Sequence, residues 1–362
     1  MMKHCQGKNL KRGNLYYYFT RKDEIIMKIE NQHTLPFIVK FIAVILLFLA
    51  VFVISMVFGA AKTSFSDVWL ALTTTQTGDS LTMLREIRFP RAVGAMVVGA
   101  ALAVSGAIMQ GVTRNPLADP GLLGLTAGAN VALAITVAFI PTANYFSLMI
   151  ACFIGAAIGT VMVLGLGMAK KGGFSPFRIV LAGAAVTAFL SAIAEGIGIY
   201  FKISKDVSMW TSGGLIGTTW GQLQVIAPFI LLGLVVAIIL SKQVTILSLS
   251  EEVAVGLGQK TAQIKCILFA IVIILAGAAV ALVGNMAFIG LMIPHMVRAV
   301  IGNDYRYVIP ISVFFGASFM LLADLVGRTI SAPYETPVAA IVSILGLPFF
   351  LFIVRKGGKA FS

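Results

Sequence analysis

From residue 37 to residue 58 the chain runs for 22 residues with a single charge, Lys40, among them. A helix of that length rises about 33 Å, enough to cross the ~30 Å hydrocarbon layer of a bilayer. Nine comparable stretches follow, near 91–110, 122–140, 146–168, 177–200, 223–240, 264–283, 287–301, 308–329 and 336–354. They are long and do not alternate, which excludes a barrel and leaves helices, whose backbone satisfies its own hydrogen bonds in lipid. The stretch at 287–301 has only 15 residues and is expected to be tilted or half-buried rather than a full crossing. Charged residues make up 11% of the chain, less than half of the roughly 25% found in soluble domains. The expected fold class is therefore an all-α polytopic membrane protein of about ten transmembrane helices.

The net charge of +13 points to orientation rather than to nucleic acid, because the basic residues lie in the segments between apolar runs. With both termini placed inside, 20 of the 27 Lys and Arg residues fall on the inner side and 7 on the outer; without residues 1–26 the split is still 14 to 7. The outer minority is conspicuous. Arg85, Arg88 and Arg91 cluster just ahead of the second span, and Arg328 sits at the outer end of the ninth. Such arginines either snorkel to lipid headgroups or form a basic docking surface for an acidic partner.

Residues 1–36 are polar and basic and are expected to form a disordered extension. The first apolar run is too long for a signal peptide core and is expected to be retained. Met27 opens a second plausible start, MKIENQHTLPF, so residues 1–26 are expected to be dispensable. The cysteines at 5, 152 and 266 form no disulfide framework, and His4, His33 and His295 lack metal-ligand spacing, so no metal and no cofactor is expected.

An internal echo favours a transporter. Residues 99–106, GAALAVSG, resemble 277–284, GAAVALVG, and at the same offset of 178 Pro116 meets Pro294 and Gly124 meets Gly302. The offset covers five spans, an odd number, so the repeats would be inverted, a recurring transporter architecture.

The polar residues that remain fall into a few groups. Asp324 and Arg328 are spaced i, i+4 within one span. Glu195 is a carboxylate inside the fifth span, a functional candidate by its position. Asn115, Pro116 and Asp119 are turn formers between spans two and three. Ser250 ahead of Glu251 and Glu252 reads as a helix cap opening a polar inner loop, 248–263. Gly256-Leu-Gly-Gln-Lys-Thr261 is no phosphate-binding loop, since Gln259 stands where glycine is required before the lysine. The inner end of span five, Ser175, Pro176 and Phe177, is a candidate gate.

Taken together, LREIRFPR at 84–91, VGAALAVSGAIMQ at 98–110, RNPLADPGLLG at 114–124, FIGLMIPHMVR at 288–298, GNDYR at 302–306, ADLVGR at 323–328, ETP at 335–337 and GLPFF at 346–350 resemble the FecCD family of ABC-importer permeases, over about residues 40–356. The resemblance implies a fold like that of the cobalamin-importer permease, with a permease domain at 37–356 and a short inner tail at 357–362. It implies a bacterial cytoplasmic membrane subunit importing ferric siderophore, or alternatively haem or cobalamin. It also implies partners: a second, identical or homologous permease chain, two cytoplasmic ATP-binding subunits, and an extracytoplasmic substrate-binding lipoprotein. In such permeases outer arginines dock the binding protein, a role that falls on Arg88, Arg91 and Arg328, with Arg85 a further candidate. The inner loop couples to the ATPase, with Glu251, Glu252, Ala254, Leu257 and Gly258 the residues concerned. Pro294 and Asp324 belong to family motifs and are expected to be structural. Two rivals remain: an ion-coupled secondary transporter working through Glu195 or Asp324, and an intramembrane enzyme, for which no nucleophile–base pair is visible.

Overall fold

In the computed structural model residues 36–59, 63–168, 176–211, 214–332 and 334–357 are described, and among these every regular element is helical. The N-terminal extension, Ser175, and the tail beyond 357 lie outside the described residues. The chain divides at Ile42 into a short N-terminal unit and a body from Ala43 onward.

Among the described residues seven helical runs are long and apolar enough to cross a membrane: α1 (Phe37–Val57); the run Asp79–Thr113, made of α3 (Asp79–Met83), one π-helical turn and α4 (Phe89–Thr113); α6 (Tyr145–Met168); α7 (Pro176–Tyr200); α9 (Trp220–Ile239); α12 (Thr261–Val283); and α14 (Tyr305–Thr329). Three apolar helices are shorter: α5 (Leu125–Phe139), α13 (Ile289–Ile301) and α15 (Val338–Gly357), whose apolar part ends at Ile353. The ten expected stretches coincide with these ten. The minor helices are α2 (Phe65–Thr73), α8 (Ser204–Thr211), α10 (Ser241–Ser248) and α11 (Glu251–Gly256).

The second span begins at Asp79, twelve residues before the expected start at 91. Residues Leu84–Arg88 form a π-helical turn, and Pro90 follows in the first turn of α4. A proline lacks the N–H for the regular ladder and its ring crowds the preceding turn; the wider turn ahead of it, with Phe89 N–H donating to the Leu84 carbonyl, lets the helical run continue.

α4 is buried along almost its whole length and packs against α9, α12, α13 and α14. Its glycines explain how so many neighbours fit. A Cβ at Gly99 or Gly106 would fall well inside contact distance of the Gly316 or Gly290 carbonyl, so the backbones of α4, α14 and α13 touch directly. The periphery is the reverse: Leu46, Leu47 and Leu49 on α1, and Leu231, Leu232 and Ile239 on α9, point outward, as surfaces solvated by lipid do.

The order of lengths recurs. The run Asp79–Thr113, α5 and α6 read long, short, long, and α12, α13 and α14 repeat that order. The two helices α5 and α13 each start after a left-handed residue, Gly124 (φ +72°) and Phe288 (φ +68°). The octapeptide echo is not the register of this repeat: Gly106 lies in the middle of α4, whereas Gly284 caps the end of α12. Small-residue helices match each other by composition, and it is the elements that recur.

Candidate functional site

At 15 and 13 residues, α5 and α13 rise only about 22 and 20 Å, short of a ~30 Å hydrocarbon layer. Irregular segments lead into both. Asn115 Oδ1 accepts from the Leu117 N–H at 3.0 Å, and Asp119 Oδ1 accepts from the Gly121 N–H at 2.7 Å, capping the 3-10 turn Pro120–Leu123. The opposite segment, 284–287, has no regular structure. Irregular backbone at membrane depth is tolerated only inside protein or beside a cavity, and here there is a cavity. It has a volume of about 600 Å³ and is bounded by Asn115 and Asp119 on one side and by Asn285 and Phe288 on the other. Thr187 and Ser191 of α7, and Asn130 of α5, face it. A second cavity of about 400 Å³ shares Asn130 and Ser191 with the first and continues past Glu195 to Ser204 and Ser208 of α8.

The turn formers at 115–119 thus hold their turn and also line the larger cavity. Glu195 lines the smaller one. Pro116 is exposed at the turn and Pro294 is buried within α13. Pro176 and Phe177 open α7. Sequence reasoning passed over Asn130, Thr187 and Ser191. The signal was present: Thr187, Ser191 and Glu195 are four residues apart and put a polar stripe on an otherwise apolar helix.

At the N-terminal end of α4 the four arginines are not free surface charges. Arg88, Arg91 and Arg328 are 5%, 6% and 5% exposed. Arg91 Nε donates to Asp324 Oδ1 at 2.8 Å, and its Nη1 donates to both Glu335 oxygens at 2.8 and 2.9 Å. Arg328 makes the expected i, i+4 ion pair with Asp324 at 3.0 Å and donates to the Ser55 hydroxyl at 2.9 Å. Arg88 donates to the Met56 carbonyl and the Thr63 hydroxyl, both at 2.6 Å. Arg85 reaches back to the carbonyls of Ala71, Thr74 and Gln76. The cluster therefore fastens the end of α1, α4, α14 and the loop before α15 to one another. Asp324 is fully buried, and two guanidinium groups compensate it. Glu335, with its side chain 30% exposed, is the part of the network open to exchange; it had no assigned role in the sequence reading.

The other end of α4 lies about 37 Å away along the helix axis. There Arg114, in a left-handed conformation that ends the helix, donates to the Leu247 carbonyl of α10 at 2.9 Å. Lys265 of α12, 8% exposed, pairs with Glu251 of α11 at 2.9 Å. Thr245 of α10 donates to Asp304 Oδ1 at 2.9 Å and accepts from the Tyr305 N–H at 3.0 Å, at the start of α14. Three spans therefore grip one short helical segment. Ser250 caps α11 as expected, accepting from the Val253 N–H at 3.3 Å. Ala254 is the wholly buried residue of α11, and Gly258 supplies the left-handed turn after the helix (φ +77°). Leu249, Val253, Val255 and Leu257 are about half exposed or more, and Glu252 is exposed beside them. The Lys265 ammonium holds the Glu251 carboxyl below the usual carboxylate range, Arg114 adding to the effect. Among the described residues no group of three His, Cys, Asp or Glu is gathered as for a metal ion.

The family model for the FecCD transport family matches residues 46–356. The iron(3+)-hydroxamate import system permease protein FhuB of Bacillus subtilis (strain 168) is 43% identical over 304 residues, 84% of this chain and 79% of that protein. The iron-uptake system permease protein FeuB of the same organism is 41% identical over 308 residues, 84% of this chain and 92% of that protein. A solved structure of a metal-chelate type ABC transporter in an inward-facing conformation aligns with a TM-score of 0.77 at 25% identity, over 87% of this chain and 98% of that one.

Proposed function

The chain belongs to the FecCD transport family, and from that premise we propose that it is the permease subunit of an ABC importer carrying ferric siderophore across a bacterial cytoplasmic membrane. One observation carries the reading: the entries to the two short half-spans converge on a cavity of about 600 Å³, largely apolar with a few amide and hydroxyl side chains set into its wall. That space suits a bulky chelate rather than a bare ion. It opens on α5 and α7, where a second permease chain, identical or homologous, completes the wall.

The two ends of α4 divide the remaining tasks. The segment of α10 and α11 presents apolar side chains at a polar end of the molecule, a surface that fits a groove on a cytoplasmic ATP-binding subunit. Its hold on α4, α12 and α14 gives closure of two such subunits a route to the spans around the cavity. The arginine end faces outward in this scheme, consistent with the bias of basic residues to the other side. An extracytoplasmic binding lipoprotein docks there through acidic residues. Because Arg88, Arg91 and Arg328 are already held within the chain, they act by their field and by exchange at Glu335, which affects the rate of encounter more than the affinity.

Uptake of radiolabelled ferric chelates by the complete importer in membrane vesicles tests this reading. ATP supplied inside drives uptake, and collapse of the proton and sodium gradients leaves it intact. Uptake that follows the ion gradient and ignores ATP belongs to the secondary-transporter alternative and overturns the proposal.

A further inference from the structure

The two cavities run along one face of α7, from Val180 in the larger to Ile199 in the smaller. That is about 28 Å of helix, most of the thickness of a bilayer core. Amides and hydroxyls dominate the polar lining: Asn130, Thr187, Ser191 and Asn285 in particular. The ionisable groups among the described lining residues are Asp119 and Glu195, and both are acids. The cations on the neighbouring elements sit at the ends. Arg178 precedes Val180 on α7, and Lys202 and Lys205 flank Ser204 beyond its far end, with Asp206 beside them. No basic residue lies among the described residues of the wall between.

We propose that Glu195 makes the pathway charge-selective, favouring cationic and neutral ferric chelates, the hydroxamate class, over anionic catecholate or citrate complexes. The inference rests on the importer reading above. The physical reason is that a fixed charge acts more strongly on a cargo that has left bulk water. At an effective dielectric constant of 20, one unit of cargo charge about 10 Å from Glu195 changes its population roughly tenfold. Two similar chains facing each other would double the number of such charges. The amides and hydroxyls can exchange hydrogen bonds with the chelate's carbonyl and hydroxyl shell without favouring either sign.

The test uses the complete importer with its own ATPases and binding protein, in cells lacking other ferric uptake. Three radioiron-loaded chelates are made from one linear trihydroxamate: its terminal amine left free (+1), acetylated (neutral) or succinylated (−1). Initial rates are taken at concentrations that saturate the binding protein. The expected wild-type rates fall about a hundredfold from +1 to −1, roughly tenfold for each of the two charge units. Glu195→Gln compresses the spread to about threefold or less, Glu195→Lys inverts the order, and Glu195→Asp keeps the wild-type order. Binding-protein-stimulated ATP hydrolysis confirms that each variant is assembled. Equal wild-type rates, an unchanged spread in Glu195→Gln, or an anionic ferric triscatecholate carried as fast as the cationic chelate each overturns the proposal. Loss of ATP dependence for every chelate overturns the importer reading instead.

Discussion

Asp324 shows how a residue's role depends on its neighbours in space. Its pairing with Arg328 follows from their spacing, but Arg91, 233 positions away in sequence, reaches the same carboxylate. Removing one member of a buried ionic network leaves the others uncompensated and costs about 3–5 kcal/mol. Asp324→Ala should therefore lower the midpoint of thermal unfolding in detergent sharply, or prevent accumulation in the membrane. Glu335→Gln, at the half-open edge, should cost about 1 kcal/mol or less. The Glu251–Lys265 pair carries a different expectation. The carboxyl is held below its usual value, so the contact is fully present above about pH 4.5 and weakens only as pH falls through the depressed value. The ratio of wild-type to Glu251→Gln uptake should be constant between about pH 6 and 8; a ratio that collapses toward one at pH 8 would contradict the pairing.

At the scale of elements, close approach and length do the deciding. A side chain at Gly106 meets the Gly290 backbone, with no flexible group to move aside, so α4 and α13 must separate. Gly106→Leu should abolish folded protein, as read by monodispersity in size-exclusion chromatography. α11 is the converse case, because its outward residues bear no load. Leu257→Asp should leave unfolding unchanged within about 0.5 kcal/mol while uncoupling ATP hydrolysis from uptake. The apolar run length made α13 short in prospect, whereas α5 proved shorter than its expected stretch because the 3-10 turn Pro120–Leu123 precedes it. That both short helices are entered beside a shared cavity followed from the path of the loops ahead of them.

For the whole molecule, the orientation is the clearest expectation. In a variant freed of its native cysteines, Lys205→Cys should react with an impermeant thiol reagent from the outside. Lys260→Cys should react only after the membrane is opened; the opposite pattern would reverse every outer and inner assignment. Membrane residence, all ten apolar helices and the polar segment at 248–263 were legible in the sequence, because lipid requires long apolar helices and those are patterns local to the chain. The family motifs, the arginine cluster ahead of the second span and Arg328 were legible too. The burial of those arginines was not, because their partners Ser55, Asp324 and Glu335 come from distant segments. Nor was the cavity, whose wall is assembled from α5, α7 and the two irregular segments at 115–121 and 285–288. Local pattern determines which segments become helices. Which polar groups those helices bring together, and which charges are satisfied or left lining a cavity, depends on contacts across hundreds of residues, and only the tertiary structure decided it.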